Sequence, residues 1–368
     1  VWVDAEARDL DPESYRIKIA QTGIQIEAGG GAGAFYAAMT LRQLARQRPG
    51  YLPVCRIEDT PDFPVRGATM DVSRDKVPQM ETLFAWVDRL AEWKVNQIYL
   101  YTEHTFAYAG HETVWRDADP MTPAQVLELD AYCKDRFIEL VPNQNSFGHF
   151  RRFLDHPEYR HLAEAPNGYA LSRGRRSPHP YSLHPGDSGS LELLGDLYDQ
   201  LLPHFTSQRF APWCDETFDL GQGKSKAMCE EKGRGRVYLD FVLEIDKLAR
   251  AHGKQTHIAS DMLNQYPELY DEVPDDIVIM DWNYDDDAPF DTTCARIAEA
   301  GLPFCVVPGT SAWYSLGGRT DTCLANQRLA SRAGRDHGAI GYVNTDWGDK
   351  GYWHYYAISE VGWAAGAA

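Results

Sequence analysis

No stretch of this 368-residue chain approaches the ~18 consecutive apolar residues that a bilayer-spanning helix needs, so no membrane span is expected. No basic-then-apolar segment opens it, and Val1 falls inside what reads as a strand, so a preceding segment is expected. The seven cysteines (Cys55, Cys133, Cys214, Cys229, Cys294, Cys305 and Cys323) are odd in number and lack CxxC spacing. That pattern disfavours both a disulfide framework and a zinc site, and reduced, buried thiols lean toward the cytoplasm. Basic residues are also scarce: 36 Lys and Arg against 54 Asp and Glu leave a net charge of −18. Phosphate binding needs clustered Lys and Arg, so nucleic acid is not an expected partner. A neutral substrate fits this balance, and so does a plain solvated acidic surface. Nothing in the sequence calls for a cofactor or a metal, and nothing in it bears on oligomeric state.

What is present is a globular composition, 43% hydrophobic and 24% charged, with 10 Trp and 20 Tyr. A chain this long needs two domains or one large barrel. Residues 13–28 read as a hairpin, with Tyr15, Ile17 and Ile19 alternating before the turn at Thr22-Gly23 and Ile24 and Ile26 after it. A helical pattern from about Ala34 to Gln47 and a short strand from Pro53 to Ile57 complete a small α+β unit over 1–60. The segment Gly29-Gly30-Gly31-Ala32-Gly33-Ala34 fits GxGxxA, the phosphate-cradling turn of dinucleotide domains. Its preceding strand belongs to a hairpin rather than a parallel βαβ unit, and no acid ends a second strand about 20 residues on. A flexible strand-to-helix turn is the expectation there.

Beyond the Pro-punctuated linker Asp59 to Pro64, strands and helices alternate over 61–368. Strands are expected at 66–72, 97–101, 138–143, 210–213, 255–260, 276–281, 304–308 and 338–344. Helices are expected near 80–94, 122–136, 189–202, 236–252, 262–270, 290–300, 322–336 and 353–364. Short apolar runs such as Gln97-Ile98-Tyr99-Leu100-Tyr101 suit strands buried on both faces. Eight such units make a (β/α)8 barrel, with an open doubly wound sheet as the alternative. The third unit carries an insertion at about 144–188, and insertions of that size usually serve a site.

Barrel enzymes gather their chemistry at the C-terminal strand ends. Those ends read Asp71 and Arg74, Glu103-His104, Asn143 through His149, and Asp215-Glu216. They continue with Asp261, Asp281-Trp282, Trp313-Tyr314 and Asp346-Trp347-Gly348-Asp349. Acids and indoles converging on one cup suit a cationic, oxocarbenium-like transition state on a sugar. Asp261 stands just before a helix, where capping is its expected task. Glu216 is the candidate general acid, since an adjacent carboxylate such as Asp215 favours a group that keeps its proton.

Several of these segments, taken in order, carry a family likeness. Pro61 through Arg74 (PDFPVRGATMDVSR) resembles the "fPwRG…lDvSR" barrel entry of family 20 glycoside hydrolases, the β-N-acetylhexosaminidases. Lys94 to Leu100 is similar to that family's "yKlN…lhlH" stretch, and Val141 to His149 to its "iPEiDmPGH" loop. The small α+β unit is similar to the non-catalytic domain that commonly precedes this barrel. The resemblance implies a retaining exo-β-N-acetylhexosaminidase acting on terminal β-linked GlcNAc or GalNAc of an oligosaccharide or glycoconjugate. It implies that Glu216 is acid and then base, and that Asp215 orients the 2-acetamido group, whose oxygen is the nucleophile. It further implies that Arg66 binds sugar hydroxyls and His149 tunes the acid. Glu103, or His104, supports that pair. Trp282, Trp313 and Trp347 wall the pocket, and Tyr314 and Asp349 contact the sugar.

Four departures stand out. Trp213-Cys214 precede the acidic pair where the family has Gly-Gly, and Asn143 and Asn145 replace acids in the third loop. The seventh strand end, Gly309 to Tyr314, lacks Tyr-x-Asp, and Asp349 stands where a Glu is common. They point to a divergent subgroup with its own sugar preference or tolerance of a free amine. Three other readings stay open: a retaining exo-glycosidase on non-acetylated sugars such as glucosamine or galactose, a catalytically silent sugar-binding barrel, and a metal hydrolase built on Glu103, His104, His111 and Glu112.

Overall fold

Alternating apolar residues build the N-terminal unit. The computed structural model describes residues 2–4 and 6–368, so the reading of Val1 lies outside the described residues. Strands β1 (Trp2–Asp4), β2 (Tyr15–Ala20), β3 (Gly23–Ala28) and β4 (Cys55–Asp59) form one sheet in the order β1-β3-β2-β4. Helix α1 (Gly31–Gln47) packs Tyr36 and Ala37 onto Ile17, Ile19 and Ile26 of that sheet. The glycine run between β3 and α1 is not a flexible turn. A Cβ at Gly29 would lie 2.0 Å from the Asp11 carbonyl oxygen, and one at Gly33 would lie 2.5 Å from that of Ser14. These glycines let the helix start press against the preceding chain.

Eight parallel strands then close a barrel. They are β5 (Val65–Asp71), β6 (Gln97–Thr102), β7 (Glu139–Gln144), β10 (Arg209–Trp213), β11 (Gln255–Ala259), β12 (Val278–Trp282), β13 (Phe304–Val307) and β14 (Gly341–Asn344). Between β7 and β10 the third connection adds a two-residue ladder, β8 (Tyr169–Ala170) with β9 (Arg176–Ser177). Closure runs through β14 and β5, with Gly341 opposite Val65 and Asn344 opposite Ala68. There is no free barrel edge, which settles the barrel against the open sheet. Side chains such as Tyr99, Val141, Ala211 and Val278 fill the interior, and Leu, Ile and Phe pack the strands against the helices outside.

The helices fall where their periodicity places them, among them Met80–Glu92, Pro123–Lys134, Arg234–Ala251 and Thr320–His337. Thr122 and Gln125 form a reciprocal capping box at the start of the second of these, an arrangement worth about 1 kcal/mol. The expected helix at 262–270 is instead Asp261–Gln265 followed by a 3-10 turn, Pro267–Glu272, because Pro267 removes the donor that would continue it. The last helix, expected from 353, begins at Tyr356. All seven cysteines are free thiols. Among the described residues, no helix is long and apolar enough to cross a membrane.

Candidate active site

His149 organises the C-terminal mouth of the barrel. Its Nε2 lies 3.3 Å from Asp215 Oδ2 and 3.3 Å from Glu216 Oε2, while Nδ1 lies 3.3 Å from Glu103 Oε1. Burial opposes a charge on this ring. The Asp215 charge and the hydrogen bonds to all three carboxylates outweigh burial and hold the imidazolium well above its ordinary value. Asp215 responds in kind: burial would raise it, but His149 and then the Asn145 amide, donating to Oδ1 at 2.7 Å, keep it below the usual carboxylate range. Glu103 is more strongly held. Burial is overcome by the Arg74 guanidinium, 3.1 Å away, and by His149, so its carboxyl sits at about 2.

Arg74 is itself fixed. It donates to Asp71 Oδ2 at 2.8 Å and lies over the Tyr101 ring at 4.6 Å and the Trp347 ring at 5.4 Å. Asp71 also accepts the Gly348 amide at 2.9 Å, which ties the first strand end to the last. The walls are aromatic. Trp347 donates from Nε1 to the Tyr284 hydroxyl at 2.9 Å, and Trp282 stacks on Tyr284 at 5.2 Å. Trp213, 2% exposed, closes the floor beside Trp347 and donates to Asn143.

The local backbone is unusual. Trp213 (φ 52°), Cys214 (φ 63°), Glu216 (φ 52°) and His149 (φ 59°) all occupy the left-handed region. Each costs about 1 kcal/mol for a residue with a Cβ, and such residues cluster at functional sites. Two of them stand where the resembled family has Gly-Gly, so this chain carries strain that glycine would not.

Most of the anticipated residues come together here: Asp215, Glu216, Glu103, His149, Trp282, Trp347 and Asp349. Asp349 is half-buried at the mouth, and burial raises its carboxyl against the pull of Arg74. Trp313 is 5% exposed and packs edge-on against Tyr284 at 4.9 Å. Tyr314 is 54% exposed on the rim, near Asp349, with the Lys350 ammonium 5.1 Å from its ring centroid.

Arg66 is misplaced in the sequence reading. It opens β5, at the opposite end of the barrel, and donates to Glu13 Oε2 at 2.8 Å and to the Lys94 carbonyl at 2.9 Å. It locks the small domain to the barrel, and Arg74, eight residues on, is the arginine in the cup. Asp261 also departs from its expected capping task. It lies in the first turn of its helix, but Ser260 is the N-cap residue and Asp261 Oδ2 accepts the Glu216 backbone N–H at 3.0 Å. Its other oxygen is buried without a partner. Burial and then the Asp215 charge push its carboxyl up to about 7.

Three contributors escaped sequence reasoning. Asn145 was visible only as a departure and Tyr284 as a neighbour of Trp282. Tyr181 comes from the insertion and reaches both His149 and Glu216. For a cation, His149, Asp215 and Glu216 each offer a ligand atom within 4.8 Å of one another. A charged imidazolium has no lone pair to give, so the trio suits hydrogen bonding better than ligation. Of the four residues proposed for a metal hydrolase, His111 instead faces Tyr159 and Asp196.

The chain is similar to several known proteins. It is 29% identical to a beta-hexosaminidase of Akkermansia muciniphila over 40% of this chain and 34% of that protein. It is 25% identical to a lacto-N-biosidase of Bifidobacterium bifidum over 74% of this chain and 24% of that protein. It thus spans about a third or less of these relatives. A crystal structure of Flavobacterium johnsoniae chitobiase superposes with a TM-score of 0.79 at 19% identity, covering 96% of this chain and 55% of that one, a likeness of fold. The model for "Glycosyl hydrolase family 20, domain 2" matches residues 2–60, and that for "Glycosyl hydrolase family 20, catalytic domain" matches residues 63–327. With both domains matched in order and the catalytic one covering most of its length, the chain belongs to glycosyl hydrolase family 20.

Proposed function

We propose that the chain is a retaining, exo-acting β-N-acetylhexosaminidase that removes terminal β-linked GlcNAc or GalNAc, with the substrate's acetamido oxygen as nucleophile. The observation that carries this reading is the meeting of Asp215 and Glu216 on one imidazole nitrogen, each at 3.3 Å. A carboxylate nucleophile and an acid must flank the scissile bond, with ~5–5.5 Å between them. Asp215 and Glu216 share one nitrogen and have carboxylate oxygens within 4.8 Å of one another, and we read them in two different tasks on one sugar.

An ionised Asp215 can accept the acetamide N–H and stabilise the positive charge that develops as the amide oxygen closes on the anomeric carbon. Glu216 gives its proton to the leaving oxygen, then takes one from the water that opens the cyclic intermediate. Arg74 and Asp349 stand at the mouth to take ring hydroxyls, and Trp282, Tyr284 and Trp347 wall a cup suited to one terminal sugar. The beta-hexosaminidase name of the Akkermansia relative supports the same substrate class.

A panel of aryl β-glycosides tests the reading. Release from the N-acetylglucosaminide, with none from the glucoside or glucosaminide, and a β-configured first product are expected. Equal turnover of substrates without the acetamide would overturn it. Glu216→Gln is expected to lower turnover of natural disaccharides at least 100-fold, the scale of general-acid catalysis, and to spare activated aryl leaving groups in part. Unchanged disaccharide turnover would remove Glu216 from the acid's role.

A further inference from the structure

The insertion between β7 and β10 places a phenol at the acid's carboxylate. The Tyr181 hydroxyl lies 3.0 Å from both His149 nitrogens and 3.4 Å from Glu216 Oε2. We infer that Tyr181 is a positioning residue for the proton donor: its oxygen lies against the His149 ring and its O–H is donated to Glu216.

The segment that carries it is pinned by backbone bonds. Phe150 N–H donates to the Tyr181 carbonyl at 2.9 Å, Leu183 N–H to the Phe147 carbonyl at 3.0 Å, and Ser182 N–H to Asp219 Oδ2 at 3.1 Å. The ring is sandwiched by neighbours as well. It stacks on Phe218 at 5.6 Å and tilts against Tyr169 at 5.9 Å. These contacts hold the phenol beside the acid.

The chemistry follows from where the charge goes. As the glycosidic bond breaks, its electron pair stays on the leaving oxygen and Glu216 hands its proton to that oxygen, which leaves a carboxylate. Tyr181 keeps its own proton throughout and donates a hydrogen bond to the new anion. Burial raises the phenol well above its ordinary value, so it does not ionise in competition. A donor aimed at a charge that appears only during the reaction stabilises the transition state more than the bound substrate. The effect should grow as the leaving group demands more proton transfer.

This inference rests on Glu216 being the proton donor, and the test separates the two. Tyr181→Phe removes the hydroxyl and keeps the stack on Phe218. For a β-linked N-acetylglucosamine disaccharide, kcat should fall about 10-fold, the scale of one hydrogen bond to a charged group, with KM moving less than about 2-fold. For the 2,4-dinitrophenyl glycoside, the loss should be under about 3-fold. A purely structural role would depress both substrates alike, and that outcome, or no loss on the disaccharide, overturns the inference. Glu216→Gln run in parallel tells the readings apart. A leaving-group dependence in Glu216→Gln but not in Tyr181→Phe overturns the role of Tyr181 alone. Its absence in both overturns the assignment of Glu216 as well.

Discussion

Asp261 holds a carboxyl where three acids crowd together. Its Oδ2 accepts the Glu216 amide, and burial together with the Asp215 charge raises it from 3.8 to about 7. Between those values the folded state binds a proton that the unfolded chain has released. The stabilising contribution of this group is therefore full below about 3.8 and is lost as pH rises through about 7. Asp261→Asn can still accept the amide and carries no charge at any pH. Its melting temperature should exceed that of the unsubstituted protein at pH 8, and the gain should shrink by pH 5. A gain that is the same at both pH values would show that Asp261 is not the titrating group. The same crowding explains why His149 stays charged: with Glu103, Asp215 and Glu216 all within 3.3 Å, the imidazolium is, among the described residues, the only cation touching all three.

At the level of elements, the decisive contact is between two loops. The loop after β7 passes so close to the acidic pair that a Cβ at Gly148 would lie 2.4 Å from the Asp215 carbonyl oxygen. Gly148→Ala must push Asp215 or His149 away from the shared geometry. Turnover should drop by about 100-fold, the scale of a 1 Å misplacement, while the fold, read by circular dichroism, persists. Full activity in this variant would mean that the loop spacing is not critical. The same scale shows what could be read in the sequence. Parallel strands buried on both faces appear as apolar runs, so all eight barrel strands were visible within a few residues, and with them the acids and indoles at their ends. The motif around Arg66 spans both ends of β5, so it does not say which arginine faces the site. Strand direction alone separates Arg66, at the start of β5, from Arg74, beyond its end. Tyr181 left no signal, because it lies in the loop before helix Ser188–Leu201 and meets Glu216 across 35 residues with no period linking the two. Asp261 looked like a cap because helix starts favour Asp, and only the fold brings the Glu216 amide within its reach.

Across the whole molecule, the small domain and the barrel are bound through Arg66 to Glu13 and Lys94 to Asp59, with a cavity of about 550 Å³ along their seam. That seam lies at the opposite end of the barrel from the acidic pair, so the domain contact supports the scaffold and leaves the chemistry to the strand ends. In the cup each cation is shared between two acids: His149 between Asp215 and Glu216, and Arg74 between Asp71 and Glu103. A neutral sugar can enter such a cup without an ionic partner of its own, and in the proposed reaction it brings the nucleophile in its own 2-acetamido group. The central claim is that this group, the acetamide oxygen, is the nucleophile. The most direct test is kcat/KM for one aryl glycoside whose 2-acyl group is acetyl, fluoroacetyl, difluoroacetyl or trifluoroacetyl. Each fluorine drains electron density from the amide oxygen and alters its size little. The account predicts a steep, monotonic fall along the series, and a flat series would contradict it.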